Sequence, residues 1–265
     1  MEKIKAKKEF GQNFLKDSSI LDKIIQSMPH NNNHIVEIGP GLGDLTKNLV
    51  KYKDVTAYEV DTDLIGILKS KFASEIESKK FTLKHIDVLR AWDELKFLHD
   101  GKYDLIANLP YYIATNIILR AFEDELCEHI IVMVQKEVAQ KFTAKVNDKE
   151  YSSLGIMTEL ISKESKILFD VPPTAFDPMP KVTSSVLYIK TDLSKKIDNY
   201  LNKFLKACFV QPRKKLSKNL GSLLEKSKIL ALYEELDLND NLRPHEVSSS
   251  LYSQMHTKVK NGRDK

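Results

Sequence analysis

The stretch Ile35-Val36-Glu37-Ile38-Gly39-Pro40-Gly41-Leu42-Gly43-Asp44 joins a short apolar run to a glycine-rich turn. A helical pattern follows it, with apolar side chains at Leu45, Leu49 and Val50. A strand, a glycine turn and a helix in this order are typical of the first unit of a nucleotide-binding α/β sheet. Glycine lets the backbone adopt positive φ and approach a ligand closely. The stretch therefore predicts that Gly39 and Gly41 lie against a bound molecule.

The spacing of these glycines favours a ligand without phosphates. They follow the pattern G-x-G-x-G, whereas the dinucleotide-binding turn G-x-G-x-x-G opens a helix onto a pyrophosphate. A dinucleotide-dependent oxidoreductase is therefore disfavoured.

Carboxylates end the next two predicted strands. The run from Val55 to Val60 delivers Glu59 and Asp61, and the run 81–86 ends on Asp87. The carboxyl ends of parallel strands meet at the ligand-binding edge of an open sheet. Acidic groups there suit ribose hydroxyls, an adenine amino group and a cationic centre, which favours S-adenosyl-L-methionine over NAD. The alternative is that each acid only caps the helix that follows it.

The tetrapeptide Asn108-Leu109-Pro110-Tyr111 follows another apolar run, 103–107. Pro110 fixes its own φ and restricts Leu109 to extended backbone. We expect the Asn108 side-chain oxygen and a neighbouring main-chain carbonyl to accept both N–H bonds of an exocyclic amine, while Tyr111 stacks on the ring. The turn thus predicts a cup for adenine or cytosine. An ordinary turn with a packed tyrosine is the alternative.

Three further segments complete this set of motifs. They are Lys8-Glu9-Phe10-Gly11-Gln12-Asn13-Phe14-Leu15, Tyr58-Glu59-Val60-Asp61, and Val171-Pro172-Pro173 continued through Phe176, Pro178 and Pro180-Lys181-Val182 to Ser184. Over nearly the whole chain, the set resembles the ribosomal RNA adenine dimethyltransferases. The resemblance implies a Rossmann-like α/β sheet with helices on both faces that uses S-adenosylmethionine, followed by a small α-helical C-terminal domain.

The resemblance also implies a role for individual residues. The N-terminal motif is expected to fold over the cofactor, with contacts from Gln12, Asn13 and Leu15. Of the other expected cofactor contacts, Gly39 lies beside the cofactor, Glu59 holds its ribose, and Asp87 with Val88 reads its adenine. Asn108 serves both cofactor and target, Leu109, Pro110 and Tyr111 form the cup, and Phe176 packs the other side of a flipped base.

The resemblance is closest to the family's small-subunit branch, which places two methyl groups on each of two adjacent adenosines near the 3′ end of small-subunit ribosomal RNA. The partner implied is that RNA, or a precursor of the small ribosomal subunit. Two alternatives stay open. The erythromycin-resistance branch dimethylates an adenosine of large-subunit RNA, and a non-catalytic assembly factor could retain the fold.

Positive charge is concentrated in the C-terminal part of the chain. The net charge is +4, yet residues 191–265 hold 15 Lys and Arg against 9 Asp and Glu. We therefore divide the chain into a catalytic domain, 1–190, and a basic helical domain for docking RNA or the ribosome, 191–265. A solvated face is the alternative for this charge. The predicted RNA contacts are Lys136, Lys181, Arg213, Lys214, Lys215 and Lys218.

Other features predict a cytoplasmic protein without a metal site. Cys127 and Cys208 lie far apart without metal-type spacing and are interpreted as reduced thiols. The N-terminal lysines Lys3, Lys5, Lys7 and Lys8 precede no apolar segment, so neither a signal peptide nor a membrane span is expected. A monomer is predicted, since no apolar helix face is left unexplained.

Overall fold

The computed structural model describes residues 6–7, 10–195 and 199–261, without the side chain of Asn199. Lys8 and Glu9 of the N-terminal motif, as well as Lys3 and Lys5, lie outside the described residues. The chain forms two compact units: Met1–Ala139 with Lys163–Ser194, and Gln140–Ser162 with Lys195–Lys265. This differs from the predicted division at 190/191, because residues 140–162 belong to the second unit. The functional roles assigned to the two parts stay predictions.

The described residues of the first unit form nine strands in two sheets. In chain order they are β1 Phe14–Leu15, β2 His34–Ile38, β3 Val55–Glu59, β4 Phe81–His85, β5 Tyr103–Asn108, β6 Cys127–Gln135, β7 Ser162–Val171, β8 Phe176–Asp177 and β9 Ser184–Thr191. Seven of them form one sheet in the order β4-β3-β2-β5-β6-β9-β7. Strands β2 to β6 pair in parallel, and β9 pairs antiparallel with β6. Since parallel strands are covered on both faces, Ile35 and Val36 are fully buried.

The helices of the first unit are α1 Ser18–Gln26, α2 Thr46–Leu49, α3 Thr62–Lys71, α4 Ala73–Glu77, α5 Val88–Leu95 and α6 Ala114–Glu123, and α7 Lys136–Thr143 begins in the first unit and ends in the second. Helices α2 to α6 connect the parallel strands. The α/β class is confirmed. The helix predicted after the glycine turn is α2, which is only four residues long. It is short because the turn continues through the residues that precede Thr46.

The strand order reverses between β2 and β5, since β3 and β4 extend the sheet on one side and β5 and β6 on the other. A crevice opens at such a switch point, outside the carboxyl ends of the strands. The glycine turn after β2 and the cup after β5 therefore lie at neighbouring strand ends. The two turns are far apart in the sequence, but β2 and β5 are neighbouring parallel strands with Ile35 opposite Asp104. The strand ends that carry the turns therefore lie side by side.

A second, two-stranded sheet pairs β1 with β8 antiparallel, with Leu15 opposite Phe176. The Lys16 amide also donates to the Ala175 carbonyl at 2.8 Å. Neither strand was predicted, since each is only two residues long. The pairing joins the N-terminal motif to the segment between β7 and β9, residues 172–183, which we call the proline-rich loop.

The second unit is helical. Its helices are α8 Ser153–Ile161, α9 Asn199–Cys208, α10 Leu216–Leu220, α11 Lys226–Glu235 and α12 Ser249–Asn261. Its core contains Phe204, Leu205, Leu216 and Leu220, which are fully buried, while Leu223 and Leu224 are half-buried. In the described part of the chain, no helix combines the length and the apolar character needed to cross a membrane.

Candidate active site

A pocket of about 980 Å³, part of it open to solvent, lies at the carboxyl ends of β2, β3, β4 and β5. The structure brings together around it twelve predicted site residues: Gln12, Asn13, Leu15, Gly39, Gly41, Glu59, Asp87, Val88, Asn108, Leu109, Pro110 and Tyr111.

The glycine turn has the backbone conformation that its sequence predicts. Gly39 and Gly41 have φ of +65° and +58°, the left-handed region that favours glycine. A Cβ at Gly41 would lie 3.0 Å from the Phe14 ring. The N-terminal motif therefore packs directly on the turn, and a larger residue at 41 would push it away.

Glu59 is buried at the end of β3 and held by backbone amides. Its Oε1 accepts from the amides of Val60 and Asp61, both at 2.8 Å, and its Oε2 accepts a longer bond, 3.4 Å, from the Gly41 amide. Burial raises the Glu59 pKa, and these amide bonds oppose the rise. The carboxylate is thus fixed in one orientation before any ligand is present.

Asp87 caps a helix and also lines the pocket. Its Oδ1 caps α5 by accepting from the amides of Leu89 at 2.8 Å and Arg90 at 3.2 Å. The residue is nevertheless exposed and lines the pocket together with Val88. Capping by one oxygen leaves the other oxygen directed elsewhere, so a structural role does not exclude ligand binding.

Asn108 connects the cup to the N-terminal motif. Its Nδ2 donates to the Asn13 carbonyl at 3.0 Å, and among the described residues its Oδ1 has no hydrogen-bond partner. The cup is held from behind, since the Leu109 amide donates to the Met133 carbonyl at 3.2 Å. The Tyr111 hydroxyl lies 2.6 Å from the Ser184 Oγ, which fixes the orientation of its ring.

Two hydrogen bonds to Asp61, the second residue after β3, hold the N-terminal segment in place, and the sequence analysis did not identify them. We call these Lys7–Asp61 and Gln12–Asp61 bonds the latch. Asp61, 2% exposed, accepts from the Lys7 ammonium at 2.6 Å and from the Gln12 amide at 2.8 Å. Burial raises the Asp61 pKa, but these bonds outweigh it and leave the pKa below its usual value. Gln12 therefore both lines the pocket and holds the motif in place. No local pattern identifies this latch, because Lys7 and Asp61 are 54 residues apart.

A second missed residue is Glu37, within β2. It is 1% exposed, lines the pocket, and accepts from the Thr46 hydroxyl at 2.6 Å. Burial raises its pKa to about 8, against the opposing effect of the Thr46 bond, and the Glu59 charge adds to the rise. A signal was present in the sequence, since a carboxylate within an apolar strand is rarely buried without a purpose.

The pocket is acidic. Its lining includes Glu37, Asp44, Glu59 and Asp87, and no Lys or Arg among the described residues. Such a lining disfavours phosphates and fits a ligand with a cationic centre and ribose hydroxyls. These are the groups that S-adenosylmethionine carries.

Phe176 is the predicted site residue that lies outside the pocket lining. It is 5% exposed, packs in the core and is not among the pocket-lining residues. It belongs to the same buried cluster as Phe14 and Leu15 of β1, which is an ordinary structural use of a loop aromatic. Contact with a flipped base would require this loop to move, and that role stays a prediction.

The predicted RNA contacts are surface residues with different surroundings. Lys136 is ion-paired with Asp170 at 2.6 Å, and Lys181 is exposed in the proline-rich loop. In the second unit, Arg213, Lys214, Lys215 and Lys218 are all exposed. The loop that carries three of them is held by buried Asn219, whose side chain bonds the Gln211 amide at 2.7 Å and two carbonyls.

The described residues contain no group of three or more His, Cys, Asp or Glu arranged to hold a metal ion. Cys127 and Cys208 are both free and buried, and burial raises the pKa of each thiol.

The sheet order, and an acidic pocket at the switch point that disfavours phosphates, fit a Rossmann-like methyltransferase that uses S-adenosylmethionine. The sequence profile of the family "Ribosomal RNA adenine dimethylase" matches residues 3–260. The chain belongs to this family.

Similar proteins agree with this assignment along their whole length. The chain is 81% identical to the Ribosomal RNA small subunit methyltransferase A of Aliarcobacter butzleri, covering all of both chains. It is 51% identical to the protein of the same name from Campylobacter jejuni strain RM1221 over 97% of this chain and 96% of that one.

Two crystal structures share the fold. A dimethyladenosine transferase from Plasmodium falciparum matches with a TM-score of 0.78 and 23% identity, over 93% of this chain and 97% of that one. The 23S rRNA methyltransferase ErmE matches with a TM-score of 0.67 and 20% identity, over 94% and 100%. At these identities the likeness concerns the fold alone. The erythromycin-resistance alternative therefore gains no support from it, whereas the sequence relatives support the small-subunit branch.

Proposed function

We propose that this protein transfers methyl groups from S-adenosylmethionine to the N6 amino groups of two adjacent adenosines near the 3′ end of small-subunit ribosomal RNA. The observation that carries the proposal is the position of Asn108. Its Nδ2 is bound to the N-terminal motif over the cofactor pocket, and its Oδ1 is left as an acceptor at the cup.

The cofactor, when bound, supplies an electrophilic methyl group on positively charged sulfur. The protein's main task is then to align the attacking nitrogen and to exclude water. Asn108 Oδ1 accepts one N–H of the adenine amine, and a main-chain carbonyl of the cup accepts the other. No strong general base is needed, because the amine becomes acidic only as it forms its new bond.

Tyr111 and the carbonyl oxygens stabilise the positive charge that develops on the amine. Ser184 keeps the ring of Tyr111 in its orientation through the 2.6 Å hydroxyl contact. Since an N6 amine lies in the plane of its base, the nucleotide must leave the stack to reach this site. We assign the opposite side of the flipped base to Phe176, after a movement of the loop that now buries it.

The remaining cofactor contacts follow from the pocket. Glu59 binds the ribose hydroxyls, Asp87 and Val88 recognise the adenine of the cofactor, and Gly39 and Gly41 allow its close approach. The N-terminal motif covers it through Gln12, Asn13 and Leu15.

RNA binding is assigned to the exposed cations. The loop with Arg213, Lys214 and Lys215 and the helix residue Lys218 track phosphates of the small-subunit precursor, and Lys181 contributes from the first unit. Lys136 joins them only after giving up its ion pair with Asp170. We also assign the protein as a cytoplasmic monomer.

The test is transfer of tritium from labelled S-adenosylmethionine to unmethylated small subunits and, separately, to large-subunit RNA, followed by nuclease digestion. N6,N6-dimethyladenosine from small subunits is expected. Asn108→Ala should abolish it, and Asn116→Ala, an exposed asparagine in α6, should not.

Other outcomes would reassign the protein. Label only in large-subunit RNA would move it to the resistance branch. Cofactor binding without label in either RNA would favour an assembly factor. Full turnover by Asn108→Ala would refute the role given to that side chain.

A further inference from the structure

We propose that Glu37 is protonated and neutral when the pocket is empty and releases its proton when S-adenosylmethionine binds. Its carboxylate then balances the positive charge of the cofactor. The inference rests on the cofactor assigned above, and goes beyond it by giving a role to a buried carboxyl group that no contact with ribose or adenine requires.

The geometry leaves Glu37 without a cation. It lies in the second-last position of β2, 1% exposed, and Thr46 of α2 donates its one side-chain hydrogen bond. In the described part of the chain, no Lys, Arg or His forms an ion pair with it. A carboxylate buried in this position has lost its hydration and accepts only one hydrogen bond from a neutral donor. Its charged form is therefore destabilised relative to the neutral acid.

The charged groups around Glu37 do not change this balance. Glu59 acts on it from β3 and opposes its ionisation. Lys71 acts from α3 and favours ionisation, but its ammonium is already bonded to the Leu42 carbonyl at 2.6 Å and lies 3.5 Å from Asp44. With burial as the largest effect, the Glu37 pKa of about 8 makes the neutral acid the main form at neutral pH.

The cofactor would bring the missing cation. S-adenosylmethionine carries a positive sulfonium besides its ammonium and carboxylate groups, and it enters a pocket with four acidic side chains and, among the described residues, no lysine or arginine. A positive charge nearby favours the ionised form of Glu37. The demethylated product, S-adenosylhomocysteine, has lost the sulfonium charge, so it should favour that form less. Glu37 would thereby distinguish cofactor from product by charge.

The experiment is calorimetry of cofactor binding by the full chain at pH 7 in two buffers of different ionisation enthalpy, which counts the protons released. With a pKa of about 8, about 0.9 of the Glu37 protons are available at pH 7. S-adenosylmethionine should therefore release close to one more proton from the parent protein than from Glu37→Gln. The difference should be smaller with S-adenosylhomocysteine. Comparing the two proteins cancels any proton taken up by the cofactor's own amine.

A matched control is Glu77→Gln, an exposed glutamate at the end of α4, which should release as many protons as the parent. Equal proton counts for the parent and Glu37→Gln would overturn the inference while leaving the cofactor assignment intact. Absence of any binding by the parent would overturn both.

Should Glu37→Gln fail to fold, Thr46→Val serves instead. It keeps the carboxyl group and removes its donor, so Glu37 should hold its proton more tightly. The pH at which proton release is half lost should then lie above that of the parent. Coincident pH profiles for the parent and Thr46→Val would overturn the inference.

Discussion

Replacing Gly43 by alanine should destabilise the first unit by about 2–5 kcal/mol. Gly43 has φ of +74°, and a Cβ there would lie 2.5 Å from Cε2 and 2.9 Å from Cζ of the Phe72 ring, with Leu68 Cδ2 at 3.1 Å. The left-handed conformation costs an alanine about 1–2 kcal/mol. Displacing a ring in a packed core costs about 1–3 kcal/mol more, and Phe72 is 2% exposed.

Gly66→Ala is the matched control. Gly66 lies in α3, is exposed, and would bring its Cβ within 4 Å of no other atom. Alanine should therefore stabilise the unit by about 0.5–1 kcal/mol, the helix preference of alanine over glycine. Gly43→Ala should thus lower the free energy of unfolding of the first unit, and Gly66→Ala should raise it.

The assay is urea unfolding followed by tryptophan fluorescence. Trp92 is the single tryptophan of the chain, 2% exposed, with its Nε1 bonded to Asp124 at 2.9 Å, so its emission reports on the first unit alone. An unfolding midpoint of Gly43→Ala at or above that of the parent would refute the argument. Cofactor affinity should fall too, because a Cβ at position 43 pushes the turn away from the Phe72 ring, and the turn residues Leu42 and Asp44 line the pocket.

Three further predictions concern pH, RNA and the latch. The contribution of Glu37 to the unfolding free energy should fall as pH rises from about 4.5 to about 8, because native Glu37 keeps a proton that the unfolded chain has released. Glu37→Gln should remove a fall on the order of 5 kcal/mol, and equal slopes in urea titrations would contradict this. Arg213→Ala should weaken RNA binding and lower its salt slope by about one in filter binding. The exposed helical Lys226→Ala is the comparison, and an unchanged slope for Arg213→Ala would speak against phosphate contact. Asp61→Ala should accelerate tryptic cleavage after Lys7, and an unaltered rate would show that the latch does not hold the N-terminal motif.

The sequence alone indicated the parts of the fold that depend on neighbours along the chain. The apolar run before Gly39, the positive φ of the glycines, and the acids after β3 and β4 all follow from strand and turn chemistry within about ten residues. Because parallel strands present their carboxyl ends at one edge, these local signals also predicted that Glu59, Asp87 and Asn108 would meet at a pocket.

The tertiary structure decided which groups face one another. The Lys7–Asp61 latch, the Thr46 bond to Glu37 and the pairing of Leu15 with Phe176 depend on where distant segments pack. The same is true of residues 140–162, whose helical pattern does not tell which unit they join. The physical reason is that burial and hydrogen-bond partners fix the charge state of a side chain and the use of an aromatic ring. Those partners come from packing across the sheet, which no local pattern in the chain records.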